Sequence, residues 1–310
     1  MNIVLIVATL CILSGLNAGQ ENAKSARPLK VPLAKSDRSG VPADPVLVGA
    51  GDIASCDDLA GAEATAKLIE NVPGTVFAVG DLAYPDGSDA DFKNCYAPTW
   101  GRFRDRTRPV PGNHEYHSDG ASAYDRYFGL GAGDPHHGYY SYDLGAWHIL
   151  ALNSECADVG GCTADSPQGR WLQQDLNSHP AACTLAYFHK PLFSSGAKHG
   201  NDPEMKPFWD MLYHAGADVV IGGHDHDYER FAPQDPNGHA DSAHGIREFV
   251  VGSGGKNSHR TFGQAKPNSE IRNADTFGVL KITLHLASYD WEFIPQAGKT
   301  FRDSGHGTCP

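Results

Sequence analysis

Short apolar runs that end in glycine alternate with segments of helical periodicity in the first part of the chain. The runs "VLVGAGD" from Val46 and "TVFAVGD" from Thr75 are typical of buried strands, and both end in Gly-Asp. Between them, the alanine-rich stretch from Leu59 to Ile69 predicts a helix. This alternation of strands and helices indicates an α/β protein.

Two further helices are marked at their N-termini by a capping side chain followed by proline. Ser166 precedes Pro167, and Asp202 precedes Pro203. An apolar stripe at helical spacing follows Asp202, and Gly216 is expected to end that helix before the apolar run "VVIGG". The chain therefore returns to a strand directly after this helix.

Two other segments show the two-residue alternation that is typical of β-hairpins. They are "GYYSYDLGAWHILALNS" over residues 138–154 and "TFGVLKITLHLASYDWEFI" over residues 276–294. Alternating helices and strands followed by strand-rich segments predict a sandwich of two stacked sheets with helices on the outside.

Composition and charge narrow the classes of function. The 310 residues include 35 glycines and 20 prolines, which indicates many loops, and binding residues are expected on them. A formal net charge of −12 argues against a nucleic-acid surface, because binding a polyanion requires clustered Lys and Arg. Small phosphorylated substrates remain compatible with this charge, since a bound cation can supply positive charge.

The N-terminal segment has the composition of a secretory signal peptide. Residues 1–18 lack charged side chains and contain an apolar stretch, residues 3–13, that is short for a membrane span. We therefore expect a secreted, periplasmic or lumenal protein with no membrane association after signal removal; a retained anchor is the alternative. Residues 19–45 predict a linker or surface strap, and residues 46–310 predict one catalytic domain.

Cysteine number agrees with export. Removal of the signal segment removes Cys11 and leaves Cys56, Cys95, Cys156, Cys162, Cys183 and Cys309. An even number of cysteines in an exported chain predicts disulfides. Cys156 and Cys162 flank the flexible sequence "ADVGG" and are the favoured pair, while the other four cysteines allow three pairings.

Side chains that can bind metal ions follow the ends of the predicted strands. They are Asp52, Asp81, Tyr84, Asn113, His114, His189, His224 and His226. Ligands of α/β proteins collect at the carboxyl ends of the strands, and all of these side-chain types can coordinate a hard or borderline metal. Each residue alone has an ordinary structural explanation, but the ordered series favours a metal centre.

The spacing of the last two histidines indicates how such a centre is arranged. In an extended chain, residues two apart point the same way, so His224 and His226 can reach one pocket. One imidazole per ion is a natural arrangement if two ions lie about 3.5–4 Å apart. A carboxylate must then bridge them, and Asp81 is the candidate.

Five ordered blocks, "GDIA", "GDLAY", "GNHE", "FHKPL" and "GHDH", resemble the calcineurin-like metallophosphoesterase superfamily. That superfamily usually begins with Asp-x-His, whereas Ala54 occupies the histidine position in this chain. In its purple acid phosphatase branch a tyrosine after the second aspartate replaces that histidine, and Tyr84 matches this pattern. The resemblance implies an α/β/β/α sandwich of two stacked mixed sheets flanked by helices.

The resemblance also implies a set of ligands for each of two metal ions and one bridging ligand. These are Asp52, Tyr84 and His226 for the first ion, Asn113, His189 and His224 for the second, and Asp81 as the bridge. The family places Fe(III) at the first position and Fe(II), Zn or Mn at the second. The pKa of tyrosine is about 10, so its anion is a suitable ligand only for a strongly Lewis-acidic ion. A tyrosinate ligand therefore argues for a trivalent first metal.

In this family a metal-bound hydroxide attacks phosphorus directly, and a general acid protonates the leaving alkoxide. His114 can reach the same pocket as Asn113, and His199 matches a substrate-pocket histidine of plant members. Both histidines are candidates for catalysis and substrate binding, and we favour His199 as the acid. Each has an alternative role: His114 only hydrogen-bonds a metal-bound oxygen, and His199 is an exposed loop residue. Glu229 and Arg230 are expected to form an ion pair that braces the histidine loop.

The leading functional hypothesis is an exported binuclear phosphatase, purple acid phosphatase-like, that hydrolyses small phosphomonoesters. A phosphodiesterase or nucleotidase on the same metal centre is the close alternative, because the blocks specify metal ligands and leave the substrate pocket open. A metal- or phosphate-binding protein without catalysis is a more distant alternative, since it predicts a missing ligand and all seven are present.

Overall fold

Two mixed β-sheets and the helices on their outer faces form the fold. The computed structural model describes residues 43–258 and 260–310, where Ala43–Pro310 form one compact unit. The predictions for residues 1–18 and 19–42 lie outside the described residues. No helix in the described part of the chain is long and apolar enough to cross a membrane.

Strands occur along the whole of the described part of the chain. In chain order they are β1 (Val46–Ala50), β2 (Ala54–Ser55), β3 (Thr75–Val79), β4 (Ala83–Tyr84), β5 (Thr107–Val110), β6 (Tyr140–Leu144), β7 (Trp147–Ala151), β8 (Cys183–Tyr187), β9 (Val219–Gly222), β10 (Tyr228–Phe231), β11 (Arg247–Val251), β12 (Ser269–Asn273), β13 (Gly278–Leu284), β14 (Ser288–Pro295) and β15 (Ser304–Thr308).

The α-helices are α1 (Ala60–Glu70), α2 (Asp89–Asp91), α3 (Ser122–Phe128), α4 (Pro167–Ser178) and α5 (Lys206–His214). A π-helical turn, Phe92–Tyr96, continues α2. Short 3₁₀ segments are Trp100–Arg106, Glu115–His117, Asp119–Ala121, Gly129–Ala132, Cys156–Val159 and Pro203–Met205.

The first sheet has the order β15-β14-β13-β1-β3-β5, and the second has the order β12-β10-β11-β9-β8-β7-β6. β1, β3 and β5 are parallel, whereas β13 joins β1 in antiparallel register with Val46 opposite Thr283. In the second sheet β7, β8, β9 and β11 are parallel, and β6 and β10 pair antiparallel at its two sides. The predicted sandwich of two mixed sheets is confirmed.

Alternate residues of the central strands face two different cores. Leu185 and Tyr187 of β8 point into the core between the sheets, where the Tyr187 ring lies 6.1 Å from that of Phe77 on β3. Ala186 points the other way and packs with Phe208 of α5. Full burial of one such aromatic side chain contributes about 1.5–3 kcal/mol. Alternate side chains of the second sheet thus pack against the first sheet on one face and against the outer helices on the other.

The predicted helix starts and hairpins are present. The Ser166 hydroxyl accepts a hydrogen bond from the amide of Gly169 at 3.0 Å, and α4 begins at Pro167, directly after Ser166. Asp202 caps a 3₁₀ turn before α5 starts at Lys206, so this helix begins later than predicted. The expected hairpins are β6–β7 and β13–β14. Gly216 follows α5 with a left-handed φ of 77°.

The six cysteines of the described residues form three disulfides. Cys156 bonds to Cys162, the pair favoured from the sequence, and the other bonds are Cys56–Cys95 and Cys183–Cys309. The last of these closes a sequence separation of 126 residues and joins β8 of the second sheet to the residue after β15 of the first.

Candidate metal centre

The carboxyl ends of five parallel strands carry the candidate ligands. β1, β3 and β5 of the first sheet and β8 and β9 of the second are each followed within a few residues by at least one of these side chains. Because the sheets are stacked, their loops converge on one region. Side chains that are far apart in sequence, from Asp52 to His226, therefore become neighbours.

Three of these candidate ligands have a strained backbone. The φ angles of Asp52, Asp81 and His224 are 58°, 51° and 71°, a left-handed region that residues other than glycine rarely adopt. Such conformations persist when the surrounding contacts determine them. In this site the His224 amide donates to Asp52 Oδ2 at 2.9 Å, and the Asp52 amide donates to the Gly80 carbonyl at 3.1 Å.

Glycine is required where the loops approach the carboxylates most closely. A Cβ on Gly112 would lie 2.3 Å from Asp81 Oδ1, and a Cβ on Gly223 would lie 2.8 Å from Asp52 Oδ2. Both distances are too short for carbon and oxygen, so any larger residue would displace the carboxylate. The glycines of the blocks "GNHE" and "GHDH" thus have a steric role.

One donor set surrounds the Tyr84 hydroxyl. Tyr84 Oη lies 2.9 Å from Asp52 Oδ1, 3.0 Å from Asp81 Oδ2 and 3.2 Å from His226 Nε2. His226 Nε2 also lies 3.2 Å from Asp52 Oδ1. The first set is thus a phenol, an imidazole and two carboxylates, all of them buried.

A second donor set surrounds the His189 ring. His189 Nε2 lies 3.1 Å from His224 Nδ1, 3.2 Å from Asn113 Oδ1 and 3.4 Å from Asp81 Oδ2. Asp81, His189 and His224 each offer a ligand atom within 4.8 Å of the others. Asp81 Oδ2 therefore belongs to both donor sets.

The hydrogen bonds on the far sides of the rings orient both histidines toward a cation. His189 Nδ1 lies 2.9 Å from the carbonyl of Val79, and His226 Nδ1 lies 2.5 Å from the carbonyl of Ser258. A carbonyl only accepts, so each Nδ1 carries its proton there and each Nε2 presents a lone pair to the carboxylates. The Nε2 lone pairs thus face carboxylate oxygens that are also electron donors. A metal ion between them would accept electron pairs from both.

The pKa shifts of the site agree with this arrangement. Burial raises the pKa of Tyr84 well above its usual value, and Asp52 and Asp81 raise it further. Burial alone would lower the pKa of His189, but Asp81 raises it to about 10; burial and His189 lower the pKa of His224 to about 2. These shifts therefore arise from burial and from the close approach of the Asp81 carboxylate to the His189 ring.

A cavity of about 290 Å³ opens onto the two donor sets. Its lining consists of Asp81, Tyr84, Asn113, His114, Lys198, His199, His224, His226, Lys256 and Ser258. The lining thus combines five of the seven candidate metal ligands with the two candidate acids and two lysines. Positive and titratable groups around a small opening suit a small anionic ligand.

The calcineurin-like phosphoesterase profile matches residues 47–228, which contain every candidate ligand and both candidate acids. The chain belongs to the calcineurin-like phosphoesterase family. The resemblance expected from the five blocks is therefore confirmed.

Relatives of this phosphoesterase carry the name of the expected branch. Purple acid phosphatase 15 of Arabidopsis thaliana is 29% identical over 53% of this chain and 37% of its own length. Acid phosphatase type 7 of Homo sapiens is 30% identical over 51% of this chain and 41% of its own. The chain thus spans about two fifths of these relatives.

Purple acid phosphatase PPD1 from yellow lupin (Lupinus luteus) seeds is a solved structure with the same fold. Its TM-score is 0.68 at 17% identity, and the superposition covers 85% of this chain and 53% of that one. At this identity the likeness establishes the fold, which is the predicted sandwich.

The phosphoesterase places both candidate acids at the cavity. The His114 amide donates to Asp81 Oδ1 at 2.9 Å, and its ring centre lies 4.3 Å from that of Tyr84. The His199 ring centre lies 3.9 Å from that of His224, and partial burial lowers the pKa of His199. His114 is thus attached to the bridging carboxylate, whereas His199 lies over the second donor set.

Sequence reasoning missed Glu115, a buried residue of the phosphoesterase that holds two site loops together. Its carboxylate accepts hydrogen bonds from the amides of Asp81 at 2.9 Å, Leu82 at 2.9 Å and Gly112 at 2.8 Å. Burial and the charge of Asp81 raise the pKa of Glu115. Its position in the block "GNHE" was the available signal, since an acid there can reach the backbone of the preceding loops.

Asp225, between the two last histidines, was also missed. Its Oδ2 accepts from the Ser194 hydroxyl at 2.5 Å and the Gly200 amide at 2.9 Å, and its Oδ1 accepts from the His199 amide at 3.2 Å. Asp225 therefore attaches the loop of His199 to the loop of the candidate metal ligands.

The expected Glu229–Arg230 ion pair is wrong. Neighbouring residues of β10 point to opposite faces of the sheet, which separates the two charges. Glu229 is buried and accepts from the amide and hydroxyl of Ser195 at 2.7 and 2.6 Å. Arg230 instead pairs with Asp303 at 2.7 Å and with Glu270.

Proposed function

We propose that this phosphoesterase is an exported, binuclear metal-dependent phosphatase that hydrolyses small phosphomonoesters. The single observation that carries the proposal is the position of Asp81 Oδ2, which lies 3.0 Å from Tyr84 Oη and 3.4 Å from His189 Nε2. An oxygen shared by two adjacent donor sets suits a carboxylate that bridges two ions. The names of the relatives support a phosphatase rather than another phosphoesterase.

The donor types suggest which ion each set would hold. The first ion, Fe(III), would be held by Asp52, Tyr84 and His226, because a phenolate in a buried site requires a strongly Lewis-acidic metal. The second, Fe(II), Zn or Mn, would be held by Asn113, His189 and His224. Asp81 would bridge the two.

When bound, the two ions would neutralise the phosphoryl oxygens and lower the pKa of water enough to provide a nucleophile near neutral pH. The protein supplies the rest of the chemistry. Lys198 lines the cavity and can attract the anionic substrate. The His199 ring centre lies 3.9 Å from that of His224, and His199 is our candidate for the proton donor to the leaving oxygen.

Export is part of the proposal because three disulfides are typical of proteins that reside in an oxidising compartment. The corresponding test is N-terminal sequencing of the protein recovered outside the cytoplasm of an expressing cell. Cleavage near residue 18 is expected. Recovery of the uncleaved chain in the membrane fraction would instead identify a retained anchor.

The central test compares p-nitrophenyl phosphate with bis(p-nitrophenyl) phosphate, using protein whose metal content has been measured. We expect about two metal ions per chain and faster turnover of the monoester. Turnover of the diester alone would establish a phosphodiesterase on the same centre. Two bound metals without hydrolysis of either ester would identify a binding protein.

A further inference from the structure

Lys256 lies over the face of the Tyr84 ring. Its Nζ is 4.6 Å from the ring centre and donates a hydrogen bond to Ser55 Oγ at 3.0 Å. Ser55 is itself paired with Tyr84 in the short β2–β4 ladder. The ammonium group is therefore held by a residue adjacent to the ring that it covers.

The backbone holds the lysine in the same place. Lys256 lies in the glycine-rich turn after β11, and its amide donates to the carbonyl of Asp52 at 2.8 Å. Asp52 is the first of the candidate ligands around Tyr84 Oη. The turn and the first donor set thus form one connected unit.

The charge of Lys256 is directed at the ring rather than neutralised by an acid. Ser55 is uncharged, and among the described residues no carboxylate oxygen lies within ion-pair distance of Lys256 Nζ. A cation within about 6 Å of an aromatic face is attracted to the electrons of the ring. That attraction increases when the ring belongs to a phenolate, because the anion adds a full negative charge.

We propose that Lys256 is a positioning residue that stabilises the negative charge of the Tyr84 phenolate when this side chain binds a ferric ion. The inference deepens the proposed function and rests on its assignment of Tyr84 as a ligand of Fe(III). A positive charge over the ring lowers the energy of the electrons that are excited from the tyrosinate to the iron. This excitation gives the iron-tyrosinate centre a visible absorption band, and Lys256 therefore sets the wavelength of that band. Its charge also favours the reduced over the oxidised form of the first metal.

The test compares the iron-loaded wild-type protein with Lys256→Met, Lys256→Arg and Lys198→Met. Met keeps the length and apolar stem of lysine, and Arg keeps its charge. Lys198 is the matched control, since it lines the same cavity and no ring contact between it and Tyr84 exists in the described residues. Iron content and melting temperature are measured for each variant, so that only folded, equally loaded proteins are compared.

We expect Lys256→Met to move the absorption band to longer wavelength and to lower the reduction potential of the ferric ion. Lys256→Arg should restore both values toward those of the wild type, and Lys198→Met should leave the band in place. An unchanged band in Lys256→Met, or an equal shift in Lys198→Met, would overturn the inference.

The outcomes also separate this inference from the proposed function. A colourless wild-type protein that hydrolyses phosphomonoesters would overturn the inference and leave the phosphatase intact. A coloured protein that responds to Lys256→Met but hydrolyses no phosphomonoester would support the inference and contradict the phosphatase assignment.

Discussion

At the scale of single residues, Asp81 connects the two donor sets. Asp81→Asn keeps the shape of the side chain and removes its charge, so the shared oxygen can no longer bridge two cations. We expect kcat/KM for p-nitrophenyl phosphate to fall by at least about 10²-fold, as for other groups that stabilise charge in the transition state. Steady-state kinetics together with metal analysis would measure the loss, which should be accompanied by a lower metal content.

Asp86→Asn is the matched control for this variant. Asp86 lies five residues further along the chain, after β4, but its side chain is 58% exposed and is paired only with His117 at 3.5 Å among the ion pairs of the described residues. The control should retain wild-type kinetics. Equal activities of the wild type and Asp81→Asn would refute a bridging role for Asp81.

A second prediction concerns the proton donor. If His199 protonates the leaving oxygen, His199→Gln should slow the hydrolysis of an alkyl phosphate, such as glycerol 2-phosphate, by about 10²-fold or more. The effect on p-nitrophenyl phosphate should be smaller, because p-nitrophenolate leaves without protonation. The measurement is the ratio of kcat values for the two substrates.

His239→Gln serves as the comparison, since the His239 side chain is 79% exposed and lies outside the cavity lining. It should preserve the substrate ratio of the wild type. If His199→Gln slows both substrates equally, His199 has another role, and the same experiment on His114→Gln would test the alternative acid.

The sequence predicted the candidate ligands because each one lies within a few residues of the end of an apolar run, where a polar side chain is conspicuous. It did not predict Glu115 or Lys256, whose roles depend on partners from other loops. The Glu115 carboxylate binds amides more than thirty residues away in sequence, Asp81 and Leu82. Contacts of this kind leave no local periodicity, so only the folded chain reveals them.

At the scale of secondary-structure elements, His148 joins two strands and a helix. His148 of β7 lies 2.8 Å from Asp143 of β6 through Nδ1 and 2.7 Å from Asp175 of α4 through Nε2. Burial lowers the pKa of His148, but the hydrogen bonds that its ring donates to Asp175 and Asp143 raise it above its usual value. His148 also lowers the pKa of Asp175, against the effect of burial on that carboxyl.

These shifts predict a pH-dependent contribution to stability. The raised pKa of His148 gives a stabilisation that is fully present below its unfolded pKa of about 6.5 and is lost as the pH rises through the folded value. The lowered pKa of Asp175 gives a stabilisation that is lost as the pH falls below about 3.9, the unfolded value. The bridge should therefore stabilise the fold most between these limits.

Urea unfolding of the wild type and His148→Gln at pH 5 and pH 9 would test this prediction. The free energy of unfolding should differ more between the two proteins at pH 5 than at pH 9. A difference that does not change with pH would show that His148 contributes by packing alone.

Helix starts and hairpins were predictable because caps and alternation are local signals. Ser166 with Pro167 gave the start of α4 correctly. The 3₁₀ turn Pro203–Met205, which delays α5, was not predictable, because Asp202 caps a 3₁₀ turn with the same sequence pattern that starts an α-helix.

At the scale of the whole molecule, the order of the strands in each sheet could not be predicted from the sequence pattern. The first sheet is completed by β13, whose Thr283 pairs with Val46 of β1 at the other end of the domain. An apolar strand can pair with any other apolar strand of similar length, so the pattern predicts strands without predicting their neighbours. The family resemblance supplied the architecture that periodicity could not.

The long-range disulfide leads to the last prediction. Cys183–Cys309 joins the two sheets across a sequence separation of 126 residues, whereas Cys156–Cys162 spans a separation of 6. A cross-link restricts the unfolded chain more when it closes a longer loop, and losing a native disulfide typically costs about 2–5 kcal/mol. Replacing Cys183 and Cys309 by serine should therefore lower the free energy of unfolding more than replacing Cys156 and Cys162, as measured by guanidinium denaturation. Because neither pair lines the cavity, both variants should keep the proposed phosphatase activity of the folded protein. An equal or larger loss of stability from the short loop would show that native contacts around Cys156 outweigh the restriction of the unfolded chain.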